Sequence, residues 1–257
     1  MVDIAPFRAL RFNPGKKSGD ISGFICPPYD IISPEQKEKL KKKAGHNVVR
    51  IELPDGIDQQ KYQHASAVLN EWRMAGILER DRTPSFYLLE TIYRISDPFA
   101  PKSTQKRYGV LAALRLETPG RGKVKPHEKT LPKAKEDRLN LLKAVRTNVS
   151  PIFGLFFDPK KKWDKWVAKS IKKPYLVRGT EEKNLSHKLW KIDNPELLKE
   201  LRTLLRSKPL YIADGHHRYE VAWAHQEFCL ENNPGAGLGD GWHRVMTYIC
   251  PIEEAGL

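Results

Sequence analysis

The sequence predicts a mixed α/β chain of the α+β type, and three observations carry that prediction. Runs of β-branched and aromatic residues interleave with amphipathic stretches, yet their order does not follow the strict strand–helix repeat of a parallel sheet. Hydrophobic residues make up 40% of the 257, enough to build a core and to exclude a disordered polymer. Nineteen prolines and 17 glycines fall mainly between the runs, where turns are needed.

Taken in order, residues 4–12 read as a strand closed by the turn chemistry of Asn13-Pro14-Gly15. Cys26-Pro27-Pro28-Tyr29-Asp30 is extended, because a residue before proline avoids the α region. Ser33-Pro34-Glu35-Gln36 opens a helix toward Gly45: Ser33 caps it, Pro34 suits its first position and Gln36 can complete a capping box. A short strand is expected at residues 48–53, a helix at 59–75 stopped by Gly76, and a hairpin of two long strands at 85–95 and 107–116. The Gly-, Lys- and Pro-rich stretch 118–126 divides an N-terminal α+β subdomain, residues 1–122, from a second domain, residues 123–257.

The second domain reads as a helix at 137–147, a buried strand at 151–157 and a helix carrying Trp163, Trp166, Val167 and Ile171. Strands at 175–178 and 188–192 and a helix at 195–207 follow. The apolar strand 209–213 then runs straight into Asp214-Gly215 and a helix at 216–230. Residues 235–241 form a glycine-rich loop before a last strand at 245–250. That loop follows a helix and precedes a strand, the reverse of a dinucleotide fingerprint.

Charge and cysteine usage narrow the function classes. Lys and Arg outnumber Asp and Glu by 45 to 31, a net charge of +14, which favours anionic partners without choosing among them. Between Lys160 and Lys173, seven lysines face one aspartate along the Trp163 helix, and a solvated face is favoured there over a phosphate-tracking patch. No stretch has the roughly 20 apolar residues of a membrane span, and the N-terminus lacks an export signal, so the cytoplasm is the expected compartment. Cys26, Cys229 and Cys250 are odd in number and far apart, which argues against a disulfide framework or a cysteine zinc site.

Three clusters are candidates for chemistry. In Asp214-Gly215-His216-His217-Arg218, a strand delivers the chain to a sharp turn, and the next helix opens with unpaired N–H groups and a positive dipole end. Three potential cations in that first turn oppose the dipole, and a bound phosphate or carboxylate would reconcile them. A plain helix cap at Asp214 is the simpler alternative, and the whole cluster favours a site. Adjacent histidines on a helix point about 100° apart, so a shared zinc is disfavoured. The second cluster runs from Lys125 through His127, Glu128, Thr130, Lys133 and Arg138. It offers a general base, Glu128 or His127, beside cations for phosphate oxygens, and an ordinary charged loop explains it equally well. In the third, Cys26 to Asp30, two prolines could present Tyr29 and Asp30 to a cleft, though a rigid packing turn is the favoured reading. Cys26 lacks the basic neighbours of a nucleophile.

Six stretches in order resemble a known family: Ala5-Pro6-Phe7-Arg8, Cys26-Pro27-Pro28-Tyr29-Asp30, Pro126-His127-Glu128-Lys129-Thr130, Lys135-Glu136-Asp137-Arg138, Ser150-Pro151-Ile152-Phe153-Gly154 and Tyr211 through Tyr219. Together they resemble the bacterial and archaeal family called domain of unknown function 1015, over essentially the whole chain. That family brings no assigned activity. Its members usually continue past the position of Leu257, so a chain shortened at its C-terminus is expected.

More distantly, the second domain resembles the ParB/sulfiredoxin fold, with an insertion between Phe157 and Pro209. In the free-serine kinases of that superfamily, an Asp-Gly-His-His-Arg turn binds nucleotide phosphate and an upstream glutamate is the base. The resemblance implies phosphate held at Asp214–Arg218 and Glu128 as base. His216 stands where sulfiredoxins need cysteine, and no DNA-binding helix-turn-helix is evident.

The expected function is therefore a nucleotide-dependent phosphotransferase acting on a small hydroxyl compound. Glu128, Asp214 and His217 are its candidate catalytic residues. Gly215, His216, Arg218, His127, Thr130, Lys133 and Arg138 are expected to hold a nucleotide (ATP or ADP), and Asp214 to hold Mg2+ or cap the turn. The alternative is a non-catalytic nucleotide-binding switch or a DNA-associated protein of the ParB type, and nucleic acid is the less favoured partner.

Overall fold

The computed structural model describes residues 1–13, 19–95, 103–128, 132–181, 185–235, 237 and 239–257. Parts of three expected loops, the turn at 13–15, the hairpin loop at 96–105 and the glycine-rich loop at 235–241, lie outside them. Among the described residues the strands are β1 (Ile4–Ala5), β2 (Leu10–Phe12), β3 (Leu78–Arg80), β4 (Phe86–Ile95), β5 (Ser103–Arg115), β6 (Val124–Lys125), β7 (Ile152–Phe156), β8 (Val177–Thr180), β9 (Leu185–Ile192), β10 (Leu210–Asp214) and β11 (Arg244–Pro251). The helices are α1 (Pro34–Lys43), α2 (Val49–Glu52), α3 (Asp58–Met74), α4 (Pro132–Val145), α5 (Lys162–Ser170), α6 (Pro195–Arg206) and α7 (His216–Asn232). The α+β expectation holds.

Nine strands form one mixed sheet in the order β6-β10-β7-β11-β5-β4-β9-β8, with β1 beside β5, while β2 and β3 pair separately. The long β4–β5 hairpin is antiparallel from Tyr87 opposite Leu111 to Ile95 opposite Ser103. β5 also pairs with β11, so the sheet runs continuously across residue 122. The stretch between Phe157 and Pro209 supplies α5, β8, β9 and α6, and β9 pairs with β4. The expected insertion is thereby stitched to the N-terminal hairpin.

Local sequence explains most of these elements. Asn194 accepts from the N–H groups of Glu196 (2.9 Å) and Leu197 (3.2 Å), Pro195 begins α6, and Leu201 and Leu205 lie fully buried one turn apart. Burying such a leucine contributes roughly 1.5–3 kcal/mol. On α5, Trp163 and Trp166 stack at 5.3 Å in the core, and all seven lysines between 160 and 173 are exposed, as a solvated face requires. The core packs β4, β5, β7, β10 and β11 against α5, α6 and α7, and a second cluster joins Tyr62, Leu69 and Trp72 of α3 to Leu141 and Val145 of α4.

Three expectations are corrected. Residues 26–30, read as extended throughout, leave that conformation after Pro28: Tyr29–Ile31 form a single 3-10 turn, with Ile31 N–H donating to the Pro28 carbonyl at 3.2 Å. Residues 48–53, read as a strand, form the short helix α2. Buried Asn47 turns the chain there: its Oδ1 accepts from Val49 N–H at 3.0 Å, and its Nδ2 donates to the carbonyls of Gly23 (2.8 Å) and Ile25 (2.9 Å). Residues 4–12, read as one strand, divide into β1 and β2, which join different sheets on either side of Pro6.

Candidate functional site

The strand order brings the two most suggestive clusters together. β6 and β10 are parallel neighbours, Val124 opposite Leu210 and Lys125 opposite Tyr211, so the chain leaves both at the same end of the sheet. His127-Glu128 and Asp214-Gly215 therefore emerge side by side. β7 is antiparallel to β10 and begins at that end, which adds Ser150 and Pro151. A register shift between Ile212 and Asp214 bends β10 just before the turn.

Gly215 has φ 85°, a left-handed conformation that favours glycine, and a Cβ there would lie 3.1 Å from Ile152 Cα. The helix has no side-chain cap, because its N-cap residue is Gly215, and the Asp214 carboxylate beside it meets Arg218 at 2.7 Å. Arg218 also donates through Nη1 to the Pro151 carbonyl, which ties the first turn of α7 to the start of β7. Further along, the Tyr219 hydroxyl donates to the Glu117 carbonyl (2.7 Å) and accepts from Glu117 N–H (3.0 Å). The Glu117 carboxylate accepts from Lys123 and Val124 N–H, so Tyr219 sets α7 against the segment entering β6.

His216 is 3% exposed. Its Nε2 accepts from His127 N–H at 3.3 Å, which assigns the neutral ring's proton to Nδ1, and Nδ1 stands 3.2 Å from Glu128 Oε2. Burial pushes the imidazole below its ordinary pKa, against the opposing pull of the Glu128 charge. The two rings meet edge-on at 4.5 Å. His216 thus orients Glu128, whose side chain is 60% exposed, as Asp214 is at 55%. His217 is half-buried in the same turn. Thr130 and the side chain of Lys133 lie outside the described residues.

Arg138, expected beside phosphate, lies in a deeper network. Its Nε and Nη2 donate to Asp137 Oδ2 (3.0 and 2.5 Å), and its Nη1 donates to the Glu52 carbonyl (2.8 Å) and lies 3.8 Å from Glu52 Oε1. The Tyr29 ring covers the guanidinium at 4.4 Å. Lys61 Nζ and the Tyr62 hydroxyl donate to Asp137 Oδ1 at 2.6 and 2.9 Å. Burial alone would raise the Asp137 carboxyl, but Lys61 and Arg138 outweigh it and hold it down to about 2.

Glu52 is the residue that sequence reasoning missed. Its side chain is 5% exposed, Oε1 accepts from Ser150 Oγ at 2.8 Å, and Oε2 has no hydrogen-bond partner among the described residues. Burial pushes its carboxyl above the usual range, against Arg138, the Ser150 hydroxyl and Arg218, and the charge of Asp30 adds to the rise. The only sequence signal is one acidic residue inside the apolar run Val48-Val49-Arg50-Ile51-Glu52-Leu53. Nearby, burial pushes the Cys26 thiol up to about 12, with the charge of Glu52 adding, which agrees with its exclusion as a nucleophile.

Two concavities lie apart from these groups. One of about 690 Å3 lies between α5 and α6, and one of about 460 Å3 lies between α4 and α7 beside Lys135 and Glu220. Asp214, Glu128 and Glu52 line neither, and the converging polar groups, rather than volume, define the candidate site. Among the described residues no group of three or more His, Cys, Asp or Glu is placed to hold a metal ion. A hard divalent cation needs only one or two carboxylates when phosphate supplies its other oxygens, and half-exposed Asp214 fits that partial role. No helix of the described chain is long and apolar enough to cross a membrane.

Comparison with curated proteins gives no match, nor does comparison with solved structures. The family described as Protein of unknown function (DUF1015) matches residues 4–257, and the chain belongs to that family.

Proposed function

We propose that the protein is a nucleotide-dependent phosphotransferase acting on a small hydroxyl compound. The observation that carries this reading is that residues 89 positions apart in sequence, His127 and His216, are joined so that Glu128 stands beside the opening turn of α7. A carboxylate positioned by a buried imidazole, next to a helix start without a side-chain cap, combines a proton acceptor with an anion site. The resemblance of the second domain to the ParB/sulfiredoxin fold points the same way.

In this reading the N–H groups of the α7 first turn, Arg218 and His217 hold phosphate oxygens, with Gly215 allowing close approach. Phosphoryl transfer depends mainly on positioning and charge neutralisation, and a bound nucleotide with Mg2+ supplies the transferable group and the neutralising charge. Glu128 accepts the proton of the acceptor hydroxyl, and the Nδ1–H of His216 steadies the Oε2 side of that carboxylate. Asp214 orients Arg218 and offers its remaining oxygen to the cation.

ATP, ADP, CTP and GTP with Mg2+, screened by thermal shift, test the reading. A nucleotide at 100 times its Kd should stabilise the fold by about 2.7 kcal/mol. Glu128→Gln should keep that shift and lower turnover roughly 10^2–10^4-fold in a screen of hydroxyl metabolites. No shift with any nucleotide, or undiminished turnover in both Glu128→Gln and His217→Ala, overturns it. The net charge of +14 supports a second reading, a nucleotide-binding switch or DNA-associated protein without turnover. DNA binding that falls steeply with salt, without nucleotide consumption, would select it.

A further inference from the structure

The helices α4 and α7 run side by side. Lys135 of α4 meets Glu220 of α7 at 2.9 Å, and eight residues later in each helix the Lys143 ammonium lies 4.0 Å from the centre of the Phe228 ring. They are therefore parallel, and both start at the end of the sheet that carries Glu128 and Asp214. The concavity of about 460 Å3 is the groove between their first halves. Glu220, Val221 and Ala224 line it, three, four and seven residues beyond His217, and residues at those spacings share one face of a helix. The α7 face that carries His217 thus continues into the groove, which begins about one turn, roughly 5 Å, farther along the axis. The chemistry of the groove changes along its length. The end nearer the site holds the Lys135–Glu220 pair, with side chains 33% and 31% exposed. The far end is apolar: Leu139 lies one turn beyond Lys135, Ala224 one turn beyond Glu220, and Trp223 adds an aromatic wall.

We propose that this groove seats a nucleoside, with the ribose at the Lys135–Glu220 end and the base among Leu139, Trp223 and Ala224. A nucleotide carries its chemistry in the same order: charged phosphates, a sugar whose hydroxyls donate and accept, and a flat ring with apolar faces. Phosphates at the first turn of α7 place the sugar and base beside the following turns, where the groove lies. An ion pair this exposed is held weakly, so the Glu220 carboxylate and the Lys135 ammonium can exchange one another for ribose hydroxyls at little cost. An inorganic anion would leave the apolar end unused. A wholly apolar molecule would strip water from Lys135 and Glu220 and return no hydrogen bonds. The volume falls within the range of about 300–1,000 Å3 usual for small-molecule sites. This seat rests on the phosphotransferase reading only for the position of the phosphates; nucleoside binding itself does not depend on it.

The test is calorimetric titration of the full chain with ATP, GTP and CTP in Mg2+, with adenosine, guanosine and cytidine, and with inorganic tripolyphosphate. The groove predicts that at least one of the three nucleotides binds about tenfold or more tightly than tripolyphosphate, which has no base to stack. Ala224 is exposed, so Ala224→Trp fills the apolar end without disturbing the core. It should weaken that nucleotide about tenfold or more and leave tripolyphosphate binding unchanged. Equal affinity for the nucleotides and tripolyphosphate, or nucleotide binding unchanged in Ala224→Trp, overturns the groove and leaves the phosphate site standing. Nucleoside binding that Ala224→Trp weakens, in a protein that gains no affinity from the phosphates, removes the phosphotransferase reading and leaves the groove standing. Binding of none of these probes overturns both.

Discussion

Two carboxylates near the same strand ends, Glu128 and Glu52, live under opposite physics. Glu128 belongs to an open region: its side chain is 60% exposed, and it meets buried His216 at 3.2 Å. Glu52 belongs to a closed one, 5% exposed and set among Arg138, Ser150 and, through Arg138, Asp137, Lys61 and Tyr62. Water screens a charge in the open region, so its groups can change partners at little cost. In the closed region every charge depends on its neighbours, because removing one partner leaves another stranded in a poor solvent. The open region is therefore suited to transient chemistry, and the closed region to holding the N-terminal segment against β7 and α4.

The largest expected effect follows from that dependence. Arg138→Ala removes the cation beside Glu52 and half of the support of Asp137, and should cost about 3–5 kcal/mol in urea unfolding, the penalty for breaking a buried pair. Arg138→Met combined with Glu52→Leu should recover much of the loss, since neither buried charge is then left alone. If Arg138→Ala costs under about 1 kcal/mol, the closed region does not behave as buried and the contrast collapses.

A smaller effect, visible through pH, isolates Glu52. Its carboxyl is raised in the fold above the unfolded value of about 4.3, so the protonated form is favoured by folding. The stability this brings is fully present below that unfolded value and is lost as pH rises through the folded pKa. Asp137 has the opposite sign: held down to about 2, it contributes stability above the ordinary aspartate range that is lost as pH falls toward about 2. The difference between wild type and Glu52→Gln, measured by urea unfolding from pH 4.5 to pH 8, should therefore move against wild type as pH rises. A pH-independent difference would show that Glu52 titrates as an exposed carboxylate.

The same contrast explains what could be seen in the sequence. The β4–β5 hairpin, the Asn194-capped α6 and the strand–turn–helix at β10 and α7 were legible, because period, cap and turn residues are local signals. The Asp214–Arg218 turn stood out as three potential cations at a positive dipole end. The closed region was not legible, because its elements exist only through distant partners. In the open region β6, two residues long, is likewise defined only by its pairing with β10. The helix α2 turns at Asn47, whose amide is held by Gly23 and Ile25. Glu52 in an apolar run gives no hint of Arg138, 86 residues on, and the Tyr29 segment, readable as a packing turn, does not say that its ring packs on that guanidinium. Arg138 itself was placed beside phosphate by its proximity in sequence to Glu128, whereas the first turns of α4 carry it inward to Glu52.

The smallest expected effect completes the contrast. Glu128→Gln keeps the size of the side chain, and an amide oxygen can still accept from His216 Nδ1–H. The lost charge is mostly screened at 60% exposure, so stability should change by less than about 0.5 kcal/mol, as is usual at exposed positions. Urea unfolding at pH 7 checks this on the protein used in the turnover assay, and makes a loss of turnover there a statement about chemistry and not about folding. A loss above about 1.5 kcal/mol would instead make the Glu128–His216 contact part of the framework. The open region would then share the physics of the closed one, and Glu128 would lose the freedom that a proton acceptor needs.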